Sequence, residues 1–130
     1  LPEINVGVVA DAATIKLRRR IPYHVAVEFL MTGRWMDAKE AKHWGLINEI
    51  VPKKDLLNRA REIANKIASG PNLIYASIKE AMRKTENVDE QQAFDILRSL
   101  ESVKKVYKSE DLSEGASSFV KKEKPQWKGK

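Results

Sequence analysis

The chain has no cysteine, which excludes a disulfide framework, a cysteine-ligated zinc site and a thiol nucleophile, and fits a reducing compartment. Histidine is almost as scarce. His24 and His43 stand apart with no ligand spacing, so no metal is expected. With only 6 glycines there is no phosphate-cradling glycine loop, and no serine sits in a nucleophile elbow. No apolar run is long enough to span a bilayer, and no signal segment with a cleavage site can be read. The expectation is a soluble, cytoplasmic protein without a membrane partner.

What is present is the material of one ordinary domain: 130 residues, 42% of them apolar, enough for a modest core. The net charge of +6 arises from 24 basic and 18 acidic residues mixed along most of the chain. The excess gathers in Arg18-Arg19-Arg20 and in the stretch from Lys121 to Lys130. Such a surplus suits nucleic acid or a polyphosphorylated small ligand equally. The basic residues do not cluster on one expected helical face, and no nucleic-acid partner is expected.

Along the chain, residues 4 to 9 are rich in β-branched side chains and read as a short strand, followed by a helical turn opening at Asp11. Val25, Phe29 and Leu30 share a helical face that stops at Gly33. Asp37-Ala38-Lys39-Glu40 has the capping-box form and starts a short helix ending at Gly45. Leu46 to Val51 alternates like a second strand, stopped by Pro52. The remainder is helical. One stripe runs through Leu56, Ala60, Ile63, Ala64 and Ile67, and a second, after Gly70-Pro71, through Ile74, Ile78, Ala81 and Met82. Asp89 caps a third helix expected to run on through Val103, and Ser109 opens a fourth before an extended tail. An isolated strand has no partner for its backbone groups, so a chain of helices with two short strands needs a sheet from elsewhere. Together with the absence of an initiator Met before Leu1-Pro2-Glu3, this leads us to expect part of a longer protein.

The ordered set Pro2-Glu3, Gly7, Asp11, Met31-Thr32-Gly33, Asp37-Ala38-Lys39-Glu40-Ala41 and Trp44-Gly45-Leu46-Ile47-Asn48-Glu49-Ile50-Val51-Pro52 resembles the crotonase (enoyl-CoA hydratase/isomerase) superfamily. So does the run from Ser109 to Lys122. Leu1-Pro2-Glu3 with Trp127-Lys128-Gly129-Lys130 is most similar to the carnitinyl-CoA dehydratase (crotonobetainyl-CoA hydratase) branch. The resemblance implies an α/β parent, a spiral of ββα units roughly twice as long, with this chain as its mostly α-helical C-terminal half carrying two short strands. Residues 1–21 would form the last edge of the spiral with the active-site strand and turn. Residues 22–130 would form a helical trimerisation region, giving a homotrimer or a hexamer. The substrate implied is an acyl-CoA thioester, with no separate cofactor. The other half of the parent would supply two backbone N–H groups for the thioester oxygen and a first glutamate.

On the same resemblance Glu3 is the catalytic candidate, a general acid or base at the α-carbon beside an oxyanion-stabilised enolate. An exposed glutamate at a strand start is the plain alternative. Asp11 corresponds to the second proton-transferring carboxylate of a dienoyl-CoA isomerase branch; the competing reading is a helix N-cap. Lys122 matches a lysine that meets the phosphates of CoA, and Val103 falls near an apolar contact to its adenine. Solvent exposure and core packing, respectively, are their ordinary roles. Ala10 and Ala13-Thr14 replace a usual proline and Gly-Gly pair, placing methyl groups where backbone passes close to ligand. These substitutions would narrow the acyl pocket, change substrate choice or weaken catalysis. The functions open at this level are an acyl-CoA hydratase or dehydratase, an enoyl- or dienoyl-CoA isomerase, and a catalytically incomplete assembly module.

Overall fold

In the computed structural model, which describes residues 1–130, eight α-helices and three 3₁₀ turns carry the chain. No helix is long and apolar enough to cross a membrane. The chain divides into two compact units, Leu1–Leu57 and Asn58–Lys130.

The first unit begins with a 3₁₀ turn, Pro2–Val6, closed by Gly7 in the left-handed region at φ 72°. Helix α1 (Asp11–Lys16) runs into a second 3₁₀ turn, Leu17–Arg19, and Pro22 precedes α2 (Tyr23–Thr32). Leu17, Ile21, Val25, Ala26 and Phe29 form the buried core, with Leu30, Met36, Trp44 and Leu46 packed around it. Burying each larger aliphatic or aromatic side chain contributes about 1.5–3 kcal/mol, so these few side chains set the unit's arrangement. Gly33 ends α2 at φ 62°, and a Cβ there would lie 2.7 Å from the Ile4 side chain. The first turn thus rests directly on the end of α2.

Helix α3 (Ala38–His43) is capped as expected, the Glu40 N–H donating to Asp37 Oδ1 at 2.8 Å. Glu40 does not return the bond. Its carboxylate accepts a forked pair from Arg34 (2.9 and 2.6 Å) and a bond from Trp44 Nε1 (3.3 Å). Arg34 also donates to Glu28 and lies over the Phe29 ring at 5.6 Å, tying α2 to α3. Its charge holds the Glu40 carboxyl below the usual range, chiefly through that hydrogen-bonded pair.

Neither expected strand is present. Residues 4–9 divide between the 3₁₀ turn and irregular chain, and 46–51 is turn and irregular chain. The sequence offers β-branched residues, but no partner strand accepts their backbone groups. Some of those groups are met locally instead: Gly7 N–H donates to Ile4 O, Val8 N–H to Glu3 O, and Leu46 N–H to Ala41 O. The chain is mostly helical, as read, without the two strands.

The second unit holds α5 (Asn72–Lys84), α6 (Glu90–Ser99), α7 (Glu101–Tyr107) and α8 (Glu110–Lys121), preceded by α4 (Leu56–Ala68). Helices α5 and α7 pack most extensively. The third helix expected from the sequence is two: Leu100, at φ −63° and ψ 127°, breaks it between α6 and α7. Its apolar periodicity continues across the break, which is why the pattern concealed it. Asp89 and Ser109 cap α6 and α8 through the Gln92 and Leu112 N–H groups. No apolar side chain of this unit is fully buried; Ser77, Asp111 and Ser118 are its buried residues. Ile67, Met82, Phe119 and Val120 are exposed, Phe119 at 86%. Apolar faces this open are characteristic of surfaces that meet another chain or another part of the same one.

Candidate functional site

Glu3 lies inside the opening 3₁₀ turn, half-buried, and its Oε2 is screened from solvent without a hydrogen-bond partner. A buried carboxylate oxygen without a donor is costly, by about 1–3 kcal/mol or more for a charged group, so such atoms are rare unless they serve something. The turn is rigidly held: Val8 N–H donates to the Glu3 carbonyl at 3.1 Å, and the Gly33 contact braces it from below. Glu3 thus presents one carboxylate oxygen with no donor among these residues.

Asp11 is the first residue of α1, exposed, and it is not the cap. Ala10 holds the N-cap position and no side chain bonds there, so the cap reading falls. Thr14 bonds back to the Ala10 carbonyl through both its N–H (2.7 Å) and its hydroxyl (2.9 Å), leaving the Asp11 carboxylate outside the local bonding. Between the opening turn, α1 and α2 lies an apolar cleft of about 430 Å3, lined by Ile4, Val8, Val9, Ala10, Leu30 and Met31 among others. Thr14 and Arg18 add polar groups to its wall. Glu3 and Asp11 each adjoin a lining residue, Ile4 and Ala10, but neither carboxylate forms part of the wall itself.

Val103 and Lys122 belong to the second unit and are not brought together. Val103, half-buried on α7, lines a separate cleft of about 320 Å3 with Ile74, Ile78, Leu97 and Val106, a packing position between helices. Lys122 is exposed at the end of α8 with φ 58°, the sole non-glycine residue of the chain at positive φ. Holding a lysine in the left-handed region costs about 1 kcal/mol relative to glycine. No group of three or more His, Asp or Glu side chains is placed to hold a metal ion.

The residues that the sequence reading passed over are Asp111 and Glu114. Asp111 is 3% exposed, accepting the Lys128 N–H (2.7 Å) and the Gly129 N–H (3.0 Å). Glu114 accepts the Gln126 N–H (2.9 Å) and the Ser118 hydroxyl (3.0 Å). Acidic residues in a helix's first turns read as partners of the helix dipole. Nothing periodic marks one that instead binds backbone 17 residues away.

The model of the enoyl-CoA hydratase/isomerase family matches residues 1–130. The chain is 38% identical to a carnitinyl-CoA dehydratase of Proteus mirabilis (strain HI4320) and 36% identical to one of Escherichia coli (strain SMS-3-5 / SECEC), covering 100% of itself and 51% of each. It therefore spans about half the length of these curated relatives. Among solved structures, it superposes with a TM-score of 0.87 on a probable enoyl-CoA hydratase/isomerase from Mycobacterium abscessus (35% identity; 99% of this chain, 51% of that one). The TM-score is 0.90 on an enoyl-CoA hydratase from Mycobacterium tuberculosis H37Rv (28% identity; 99% and 51%). A family match over residues 1–130, with the fold shared over 99% of the chain, places it in the enoyl-CoA hydratase/isomerase family.

Proposed function

We propose that the whole protein containing this chain is an acyl-CoA hydratase or dehydratase of the carnitinyl-CoA dehydratase type, adding or removing water across the α,β bond of a CoA thioester. The observation that carries this reading is the 38% identity to a carnitinyl-CoA dehydratase across the full chain. Glu3 moves the α-proton, and its unpartnered Oε2 supports that role. The thioester oxygen is held by donors outside these 130 residues, so the chain alone is inactive. Residues 1–21 are the edge of a ββα spiral core and 22–130 a trimerisation region, and the exposed apolar faces of the second unit support a homotrimer or hexamer. Sedimentation of the whole protein reads this directly; a monomer would remove it. The setting is cytoplasmic. The test of the activity is loss of the conjugated thioester absorbance with crotonobetainyl-CoA or crotonyl-CoA, or its gain with carnitinyl-CoA, and no change with any of them would overturn the reading.

Asp11 favours a second reading, an isomerase that moves the double bond, because its carboxylate is exposed and not consumed by a cap. Asp11→Asn decides between them. A hydratase retains its turnover within about threefold and its thermal midpoint; an isomerase loses at least about 10²-fold on a dienoyl-CoA, the scale of a lost proton-transfer group.

Lys122 meets the phosphates of CoA in this proposal, supplying a mobile positive charge at a corner held by backbone bonds to Phe119 O and Ser118 O. Lys122→Gly is then expected to raise stability by up to about 1 kcal/mol, since glycine accepts the left-handed corner, while raising KM for the thioester several-fold at unchanged kcat. A variant more stable and unaltered in KM would leave Lys122 a structural residue only.

A further inference from the structure

The segment that follows α8 has no regular secondary structure, yet its backbone is held along the helix it has just left. The chain reverses at Lys122, with the Glu123 N–H on Ser118 O at 2.9 Å, and runs back towards the start of α8. There the exchange is mutual. Asp111 and Glu114 take the Gln126, Lys128 and Gly129 N–H groups, and the Lys130 carbonyl accepts from the Glu110 N–H at 2.8 Å and the Asp111 N–H at 3.4 Å. Those two helix donors have no partner within the helix, so the segment satisfies what α8 leaves open. The Trp127 ring fits over Gly115, where an added Cβ would lie 3.1 Å from it.

We propose that residues 123–130 are a strap that fixes the Lys122 corner of α8, fastened by the carboxylates of Asp111 and Glu114 and released when Glu114 is protonated. Three of its backbone donors end on two carboxylates, and a carboxylic acid is a far weaker acceptor than its anion. Glu114 is held below the usual glutamate range, first by the Gln126 N–H and then by the Ser118 hydroxyl. The charges facing it are Lys128 in the strap and Lys121 on its own helix, both favouring the anion. Glu110, paired with Lys128 at 3.3 Å, is the other acid at this end of the helix. The turn before α5 that faces the strap contributes Ala68, Ser69, Gly70 and Asn72, none of them charged. Because the folded value is depressed, this fastening is complete above the ordinary glutamate value of about 4.3 and is lost as pH falls through the lower, folded one.

Hydrogen exchange of the whole protein by mass spectrometry, from pH 7 to pH 3 and corrected for intrinsic rates, tests it. Peptides covering 123–130 are read against the α5 peptide 72–84. The strap is expected to be protected at pH 7 and to exchange at least about tenfold faster in acid while α5 stays protected. Glu114→Gln, which cannot ionise, should flatten that response. Strap protection that persists to pH 3, absence of protection at pH 7, or simultaneous loss in strap and α5 would each overturn the proposal.

Discussion

Glu3→Gln in the whole protein is expected to lower kcat for hydration by about 10²–10⁴-fold, the contribution of one positioned proton carrier, equivalent to about 3–5 kcal/mol of barrier. The substitution keeps the shape of the side chain and removes its capacity to take or give a proton. KM should change little, because the rest of the thioester's contacts are untouched. Stability should move in the opposite direction to activity. Oε2 is shielded and has no hydrogen-bond partner among these residues, which is a costly setting for a carboxyl oxygen. A neutral amide suffers less from that setting, and the melting midpoint of the variant should equal or exceed that of the parent. A residue that lowers stability where it stands and whose removal abolishes turnover is a functional residue. Turnover within about twofold of the parent, on a thioester the parent accepts, would end the assignment of Glu3.

Much of this was legible in the residues because it depends on near neighbours. Asp37, Asp89 and Ser109 cap their helices through N–H groups three residues on, and a short-range rule reads them. Gly33 stops α2 because the chain must turn left-handed there, and the buried face of Val25 and Phe29 follows from helical spacing. Family membership was legible for another reason: an ordered series of short motifs spread across the chain is improbable by coincidence, although each alone is weak.

What was not legible depended on partners. The residues of the two expected strands have β character, but a strand exists only beside another, and within these residues the turn at Pro2–Val6 satisfies the same groups more cheaply. The break at Leu100 is a single backbone rotation that leaves the apolar spacing intact. Glu40 matches a capping box in sequence, yet Arg34 offers it a forked, charge-assisted pair, which outweighs one backbone N–H. For the site, Glu3 was named from motif alone, and its orphan oxygen is a fact of packing that no pattern carries. Asp11 is open to a cap reading because aspartate favours that role; the helix starts at Asp11 itself, which leaves the cap position to Ala10.

Asp111→Ala is expected to lower the stability of the second unit by about 2–3 kcal/mol, the largest loss anticipated from any one acid in the chain. Two backbone N–H groups donate to its carboxylate at 2.7 and 3.0 Å, and the residue is 3% exposed. Hydrogen bonds to a charged group contribute about 1.5–3 kcal/mol each, so a naive sum would be larger. The strap sets the limit. Once Asp111 is gone, Lys128 and Gly129 need not stay buried and unpaired; they can swing out to water, at the expense of the Trp127 contact and of the Lys130 carbonyl that serves Glu110 and Asp111. Asp111→Asn should fall about halfway, because it keeps one acceptor oxygen but turns an N–H₂ group towards the other donor. The Lys128–Glu110 pair cannot compensate, being more than half exposed on both sides and worth little in water. Denaturant unfolding reads the loss as a lowered midpoint, and exchange at the strap reads its cause. A shift of less than about 0.5 kcal/mol for the alanine variant would mean that the strap is held by its other contacts, with the Asp111 carboxylate contributing no net stability.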